Sequence, residues 1–322
     1  MNLLERPRRL RQSASFRQLG REITIDPSKL ILPLFVCEGK GIEKPHSQLP
    51  SLFTHSTDKL MSYLKSIEDV QIGSFLLFGV SDKKDTNGSE ALNPDSSLCR
   101  AIAEIRGKYP NAIVATDLAL DPYTDHGHDG LYKDGEILND ETVDVLCQMA
   151  LLHAKSGAQI LAPSDMMDGR VGAIREALDT NSYKNAVILS YTAKYASCFY
   201  GPFRDALASK VIGDKLTYQM DPANRREAER ELELDISESA DIVMVKPAAH
   251  YLDIISDFRD RSLVPVAAYH VSGEAAMLEL GAKNGLFDRK RAIQEVTTSI
   301  FRAGADLIAT YFAVELSRWS KS

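Results

Sequence analysis

Two lysines stand at the ends of two apolar, β-branched runs. Lys194 lies in AVILSYTAKYASCFYGPFRD, Ala186 to Asp205, and Lys246 in ADIVMVKPAAHYLD, Ala240 to Asp253. In each, a strand-forming stretch (Val187–Ile188, Ile242–Val243) delivers an amine where the chain should leave a sheet. An amine near apolar walls and near a second amine loses its proton more readily, because the cationic form is disfavoured. Only the neutral amine attacks a ketone to form a Schiff base, so the pair points to imine chemistry on a carbonyl substrate. A surface lysine just past a strand is the plain alternative for either one alone. Two in one chain, with these flanks, fit it poorly.

Two further groups carry chemistry-bearing side chains. TDLALDPYTDHGHDG, Thr116 to Gly130, sets His126-x-His128 beside Asp125 and Asp129. That donor set suits zinc, and a polar loop with Asp and Gly in turns explains it too. Glu227, Glu229, Glu231 and Glu233 alone read as a solvated acidic face.

The lysines need elements to position them, and eight apolar runs of strand length recur: Leu30–Val36, Ser74–Val80, Ala112–Leu120, Gln159–Ala162, Ala186–Tyr191, Ile242–Val245, Val264–Ala268 and Leu307–Tyr311. Most are continuous rather than alternating, as parallel strands buried on both faces are. Between them lie helical stretches at Asp58–Ile67, Ser96–Lys108, Asp140–Lys155, Val171–Leu178, Asn224–Ser239, Leu252–Arg259, Gly273–Asn284 and Arg289–Arg302. Asn139 and Ser272 are expected N-caps, and Gly157 and Gly304 expected stops. Strict alternation predicts one (β/α)8 TIM barrel over residues 30–322. A doubly wound sheet is the alternative, but no G-x-G-x-x-G or Walker pattern supports it. Barrel chemistry sits at strand C-termini. Those ends hold Asp117, Asp121, Ser164, Asp165, Lys194, Lys246, Ser272 and Tyr311. Residues 1–29 are polar and basic, and read either as a disordered tail or as an extended N-terminal arm that packs Leu4, Leu10, Phe16 and Leu19 on a neighbouring subunit.

Bulk properties narrow the class. The 322 residues are 44% hydrophobic with a net charge of −7, which suits a globular protein and offers no basic block for nucleic acid. The Arg-rich start lacks a signal peptide's apolar stretch, and no run reaches the roughly 18 apolar residues of a membrane helix. Four scattered cysteines without C-x-x-C fit reduced thiols and a cytoplasmic location.

An ordered series of motifs adds to this reading: RPRRLR, LILPLFVCEG, APSDMMDGR, SYTAKYASCFYGPFRDA, TYQMDPANRREA, VMVKPA, AYHVSGE and RAGADLIATYFA. With it the chain closely resembles the porphobilinogen synthase (5-aminolevulinate dehydratase) family over nearly its full length. The resemblance implies a lyase of tetrapyrrole biosynthesis that condenses two 5-aminolevulinate molecules asymmetrically, with loss of two waters. It implies Lys194 and Lys246 as imine-forming residues, and Asp117 and Ser164 as groups orienting the substrate amine and reacting centre. Ser272 and Tyr311 would hold one carboxylate. Arg204, Lys215 and Gln219 would hold the other, with Phe203 as a wall and a lid between Leu207 and Tyr218. Relatives often have Arg at Lys215, and a single ammonium grips a carboxylate less firmly. The N-terminal arm is expected to build a homo-octamer.

In zinc-dependent relatives three cysteines stand at Ala119, Asp121 and Asp129, so the resemblance implies an aspartate-rich type without zinc. Asp121 and Asp129 are then expected to hold Mg2+, a monovalent cation or the substrate amine. Glu231 is implied as the ligand of an allosteric Mg2+. The competing readings are a Schiff-base aldolase, which normally needs one imine lysine and a phosphate site, and a non-catalytic barrel.

Overall fold

The computed structural model describes residues 3–46, 49–207 and 211–321. Its strands are β1 Leu30–Cys37, β2 Glu43–His46, β3 Leu49–Ser56, β4 Ser74–Val80, β5 Ile113–Leu118, β6 Leu131–Lys133, β7 Glu136–Leu138, β8 Ile160–Pro163, β9 Val187–Lys194, β10 Ile242–Lys246, β11 Val266–His270 and β12 Leu307–Thr310. The helices are α1 Ala14–Leu19, α2 Thr57–Ser66, α3 Ser97–Lys108, α4 Asn139–Ser156, α5 Arg170–Thr180, α6 Gly201–Ala206, α7 Arg226–Ser237, α8 Leu252–Arg261, α9 Ser272–Lys283, α10 Arg289–Ala303 and α11 Ala313–Ser320.

All eight expected strands form one parallel ring in the order β1-β4-β5-β8-β9-β10-β11-β12, and β12 closes it by pairing Leu30 with Ile308 and Ile31 with Ala309. The fold is a (β/α)8 barrel. Its strands are buried on both faces, which is why they read as unbroken apolar runs: β11 is buried along its whole length, as is β1 up to Cys37.

Two hairpins were not expected. Since β12 covers only the start of β1, the edge at Phe35–Cys37 is open, and β3 fills it by pairing Phe35 with Thr54 and Cys37 with Ser56. Strand β2 joins β3 antiparallel, and β6 pairs with β7. Glycines 157 and 304 end α4 and α10 at φ 110° and 124°, values a side chain would resist. The two expected N-caps are corrected. Asn139 and Ser272 are the first residues of α4 and α9, after Leu138 and Val271. Asn139 instead ties α4 to the loop after β8, accepting from Asp168 N at 2.8 Å. At α9 the Glu274 carboxylate accepts from Val271 N at 3.0 Å.

Residues 3–22 are exposed throughout, with Leu4 95% and Leu19 79% accessible. The first two residues of the expected arm lie outside the described residues. Among the described residues no helix is long and apolar enough to cross a membrane.

One buried charge cluster joins β8, β9, α5 and α7. Arg170, 3% exposed, lies 3.7 Å from Asp165 and 3.8 Å from Asp235, and donates to Tyr191 O at 3.2 Å and Ser190 Oγ at 3.3 Å. Ser190 Oγ donates to Asp235 at 2.5 Å. Burial pushes Asp165 up to about 6 although Arg170 opposes it. Removing the cation would leave two carboxylates in an apolar interior. Arg170→Ala is therefore expected to lower stability by about 3–5 kcal/mol in urea unfolding, and a loss below 1 kcal/mol would show the cluster to be solvated.

Candidate active site

Strands β9 and β10 pair Leu189 with Ile242 and Ser190 with Val243, then Ala193 with Val245 and Lys194 with Lys246. Between these pairs β9 has one residue more than β10, a bulge. Ser190 faces outward to Asp235, and Tyr191 faces the barrel interior beneath Lys246. Strict alternation would send Lys194 outward with Ser190. The extra residue turns it inward and sets it level with Lys246.

Lys246 is 5% exposed and its Nζ lies among four rings: Tyr269 at 4.7 Å, Tyr191 at 4.9 Å, Phe203 at 5.0 Å and Tyr200 at 5.2 Å from the centroids. Ring faces attract an ammonium, but burial and then the Lys194 charge outweigh that and hold Lys246 down at about 7. Asp117, inside β5, is pushed up to about 7 by burial, against the pull of Lys246 and Lys194. Its Oδ1 has no hydrogen-bond partner among the described residues.

Lys194 makes the opposite bargain with its surroundings. Its Nζ pairs with Asp129 Oδ2 at 2.8 Å and donates to the Ser164 carbonyl. Lys215 bridges the same carboxylate and Asp121, the latter at 3.2 Å, and Gln219 donates to Asp129 Oδ2 at 3.5 Å. Burial pushes the Asp129 carboxyl up, yet Lys194 and Lys215 together hold it below the usual carboxylate range. The lid therefore lies on the aspartate loop. Tyr218 OH adds contacts to His128 Nδ1 at 3.1 Å and Asp129 N at 3.3 Å, and Ile212 O meets His128 Nε2 at 2.9 Å. Residues 208–210 of the expected lid lie outside the described residues.

The other expected residues fall into place around these amines. Phe203 packs edge-on against Phe35 and Phe78. Ser272 Oγ, buried, accepts from Phe203 N at 3.0 Å, and Tyr311 OH meets Tyr269 OH at 3.3 Å. Arg204 donates to Ser197 O at 3.3 Å, and no described contact joins it to Lys215 or Gln219. Glu231 lies apart, half-buried on α7 near Arg170, and burial pushes it up to about 7. Sequence reasoning missed Tyr191, Tyr200 and Tyr269 as site residues. Tyr191 and Tyr269 do sit three residues before Lys194 and Ser272, which is a usable signal only once the bulge is known.

The histidines of that loop make hydrogen bonds within the protein. His126 Nδ1 accepts from His128 N at 3.2 Å and its Nε2 meets Thr86 O at 3.2 Å, while both His128 nitrogens are occupied as described. Asp121 and Asp129 already have ammonium partners, and the described residues contain no group of three or more His, Cys, Asp or Glu placed to hold a metal ion.

Two buried amines level with each other at adjacent strand ends of a (β/α)8 barrel are an arrangement suited to imine chemistry. Residues 4–319 match the family "Delta-aminolevulinic acid dehydratase". The chain is 48% identical to the chloroplastic enzyme of that name from Physcomitrium patens, covering 98% of this chain and 74% of that protein. It is 45% identical to the Bacillus subtilis delta-aminolevulinic acid dehydratase, covering 98% and 97%. The crystal structure of the Toxoplasma gondii enzyme (porphobilinogen synthase) in complex with its product porphobilinogen superposes with a TM-score of 0.96 at 46% identity, covering 98% of this chain and 92% of that one. The chain belongs to the delta-aminolevulinic acid dehydratase family, and is a lyase of porphyrin biosynthesis.

A lysine held at about 7 is cationic below that pH and a free nucleophile above it. Trapping of 5-aminolevulinate on Lys246 by cyanoborohydride, read by peptide mass, should rise about tenfold per pH unit up to about pH 7 and rise no further above it. A plateau reached only near pH 10 would mean an unperturbed amine.

Proposed function

We propose that Lys246 and Lys194 each bind one 5-aminolevulinate as an imine, and that the chain joins the two asymmetrically into porphobilinogen with loss of two waters. The observation that carries this reading is the Lys194–Lys246 pairing across β9 and β10, which holds two amines side by side. An iminium acidifies the neighbouring carbon, and fixing both substrates makes their encounter intramolecular.

The substrate's other groups find complements nearby. Asp121 and Asp129 suit its ammonium, which would take the position Lys215 occupies. Lys215, once displaced, is free to join Arg204 and Gln219 on a carboxylate. Ser272 and Tyr311 are the donors for the other carboxylate, and Asp117 with Ser164 would orient the amine and the reacting centre. The same ammonium partners argue against a resident Mg2+ or monovalent cation at Asp121 and Asp129.

Glu231 is the proposed ligand of an allosteric Mg2+. Its support is a half-buried carboxyl whose pKa is raised by burial against the pull of Arg170, with Asp235, Asp168 and Glu227 adding to the rise. The arm is proposed to build a homo-octamer, since Leu4, Leu10, Phe16 and Leu19 are exposed in the single chain. A cytoplasmic location suits the scattered thiols, none of them in a disulfide.

An assay of pyrrole formation from 5-aminolevulinate tests the core of this. Lys246→Ala and Lys194→Ala should each lose nearly all turnover while staying folded, and a Lys246→Ala enzyme with most of its activity would sink the double-imine reading. Mg2+ should raise activity and shift the population to the larger assembly in sedimentation, because a ligand that binds one assembly better stabilises it. Glu231→Ala should lose that response and keep basal turnover, and a zinc-selective chelator should change nothing. Activity restored only by Zn2+ would overturn the metal assignment.

A further inference from the structure

Four side chains wall in Lys246, and three bring hydroxyls. Tyr200 OH donates to Tyr195 O at 2.7 Å and lies 3.3 Å from Lys246 O, and Tyr269 OH pairs with Tyr311 OH at 3.3 Å. Tyr191 OH differs: it is fully buried and has no hydrogen-bond partner among the described residues. An unsatisfied buried hydroxyl is costly, and phenylalanine would fill the same space without that cost. The one protein group turned toward this hydroxyl is the Asp117 carboxyl, which leaves the hydroxyl capacity to spare for a substrate atom. The second orphaned polar atom in this part of the barrel is Asp117 Oδ1, and its carboxyl neighbours the Tyr191 hydroxyl. Both groups belong to the surroundings of Lys246, whose Nζ lies 4.9 Å from the Tyr191 ring centroid and feels the Asp117 charge.

We propose that Tyr191 is a catalytic residue for imine formation at Lys246, its hydroxyl protonating the ketone oxygen with Asp117 as the proton source. This rests on the reading of Lys246 as the imine lysine. The neutral Nζ attacks the carbonyl carbon, and the displaced π pair moves onto oxygen. That oxygen takes the Tyr191 proton, and Tyr191 is reprotonated by the Asp117 carboxyl. The new C–N ammonium returns a proton to Asp117, leaving a neutral carbinolamine. In the second stage the nitrogen lone pair forms C=N as the C–O bond breaks. The departing hydroxyl takes one proton through Tyr191 from Asp117 and leaves as water. The products are an iminium and an Asp117 carboxylate, which neutralise one another. Burial, followed by the Asp117 charge, holds the Tyr191 pKa well above its ordinary value, so the phenol stays protonated between transfers. Asp117, poised near neutrality by burial, supplies either form it needs.

Rapid-quench borohydride trapping of 5-aminolevulinate on Lys246 tests this in the full-length protein. Tyr191→Phe should accumulate the Lys246 adduct about tenfold to a hundredfold more slowly, with KM within about twofold and a Tm equal to or above wild type, because an unpaired polar atom has been removed. An adduct forming at the wild-type rate, or a lowered Tm with an unchanged rate, overturns the proposal and makes the hydroxyl structural. If Tyr191→Phe does not fold, 3-fluorotyrosine at position 191 acidifies the hydroxyl with little change of shape. It must alter the rate, and no change overturns the proposal. Absence of a Lys246 adduct in the wild type would instead refute the imine lysine itself, which keeps the two failures distinct.

Discussion

Two amines cannot share a buried cavity as two cations unless carboxylates neutralise both, and most of this active site follows from how the protein divides that burden. Lys194 receives a full counter-charge from Asp129, in hydrogen-bond contact. Lys246 receives ring faces, and its nearest carboxylate influence comes from Asp117, itself driven toward neutrality by burial. The same solvent exclusion therefore gives opposite results at two adjacent positions. One lysine lies against a carboxylate, and the other lies among rings with its proton weakly held. Lys215 extends the scheme, since its charge lies between the buried carboxylates of Asp121 and Asp129.

The scaffold was legible where burial writes itself into composition. Strands enclosed on both faces need apolar residues at every position, so β1, β4 and β11 stand out as runs. Strand β2 did not, because Glu43, Lys44 and Pro45 are exposed and it is held mainly by backbone pairing to β3. Helix α6 was hidden inside the GPFRD motif, where Pro202 at its first turn supports a helix as readily as a turn. Helix α11, which begins two residues after Tyr311, was not expected at all.

Within the site the lysines were legible because strand ends are, and their adjacency was not. It depends on a bulge that changes no residue type. The ring cage was likewise invisible, since it is assembled from β9, the turn before α6, α6 itself and β11. The placement of Lys215 on Asp129 is a contact between distant segments that composition cannot announce. Motif resemblance supplied the identity of Lys215 but assigned it to a substrate carboxylate, whereas the structure rests it on the Asp121 and Asp129 carboxylates.

The bulge in β9 also changes what kind of information the strand carries. In a regular strand a lysine's address is fixed by parity, and any even shift leaves it on the same face. Here the address is fixed by a count: the single additional residue between Ser190 and Ala193 decides whether Lys194 points at its partner or at the helical shell. A one-residue deletion there would preserve the apolar composition and the pairing partners of β9 while exchanging a reactive amine for an outward-facing one. The chemistry of the barrel is in that sense punctuated as well as spelled, and a change of length in β9 threatens it as surely as loss of the lysine itself.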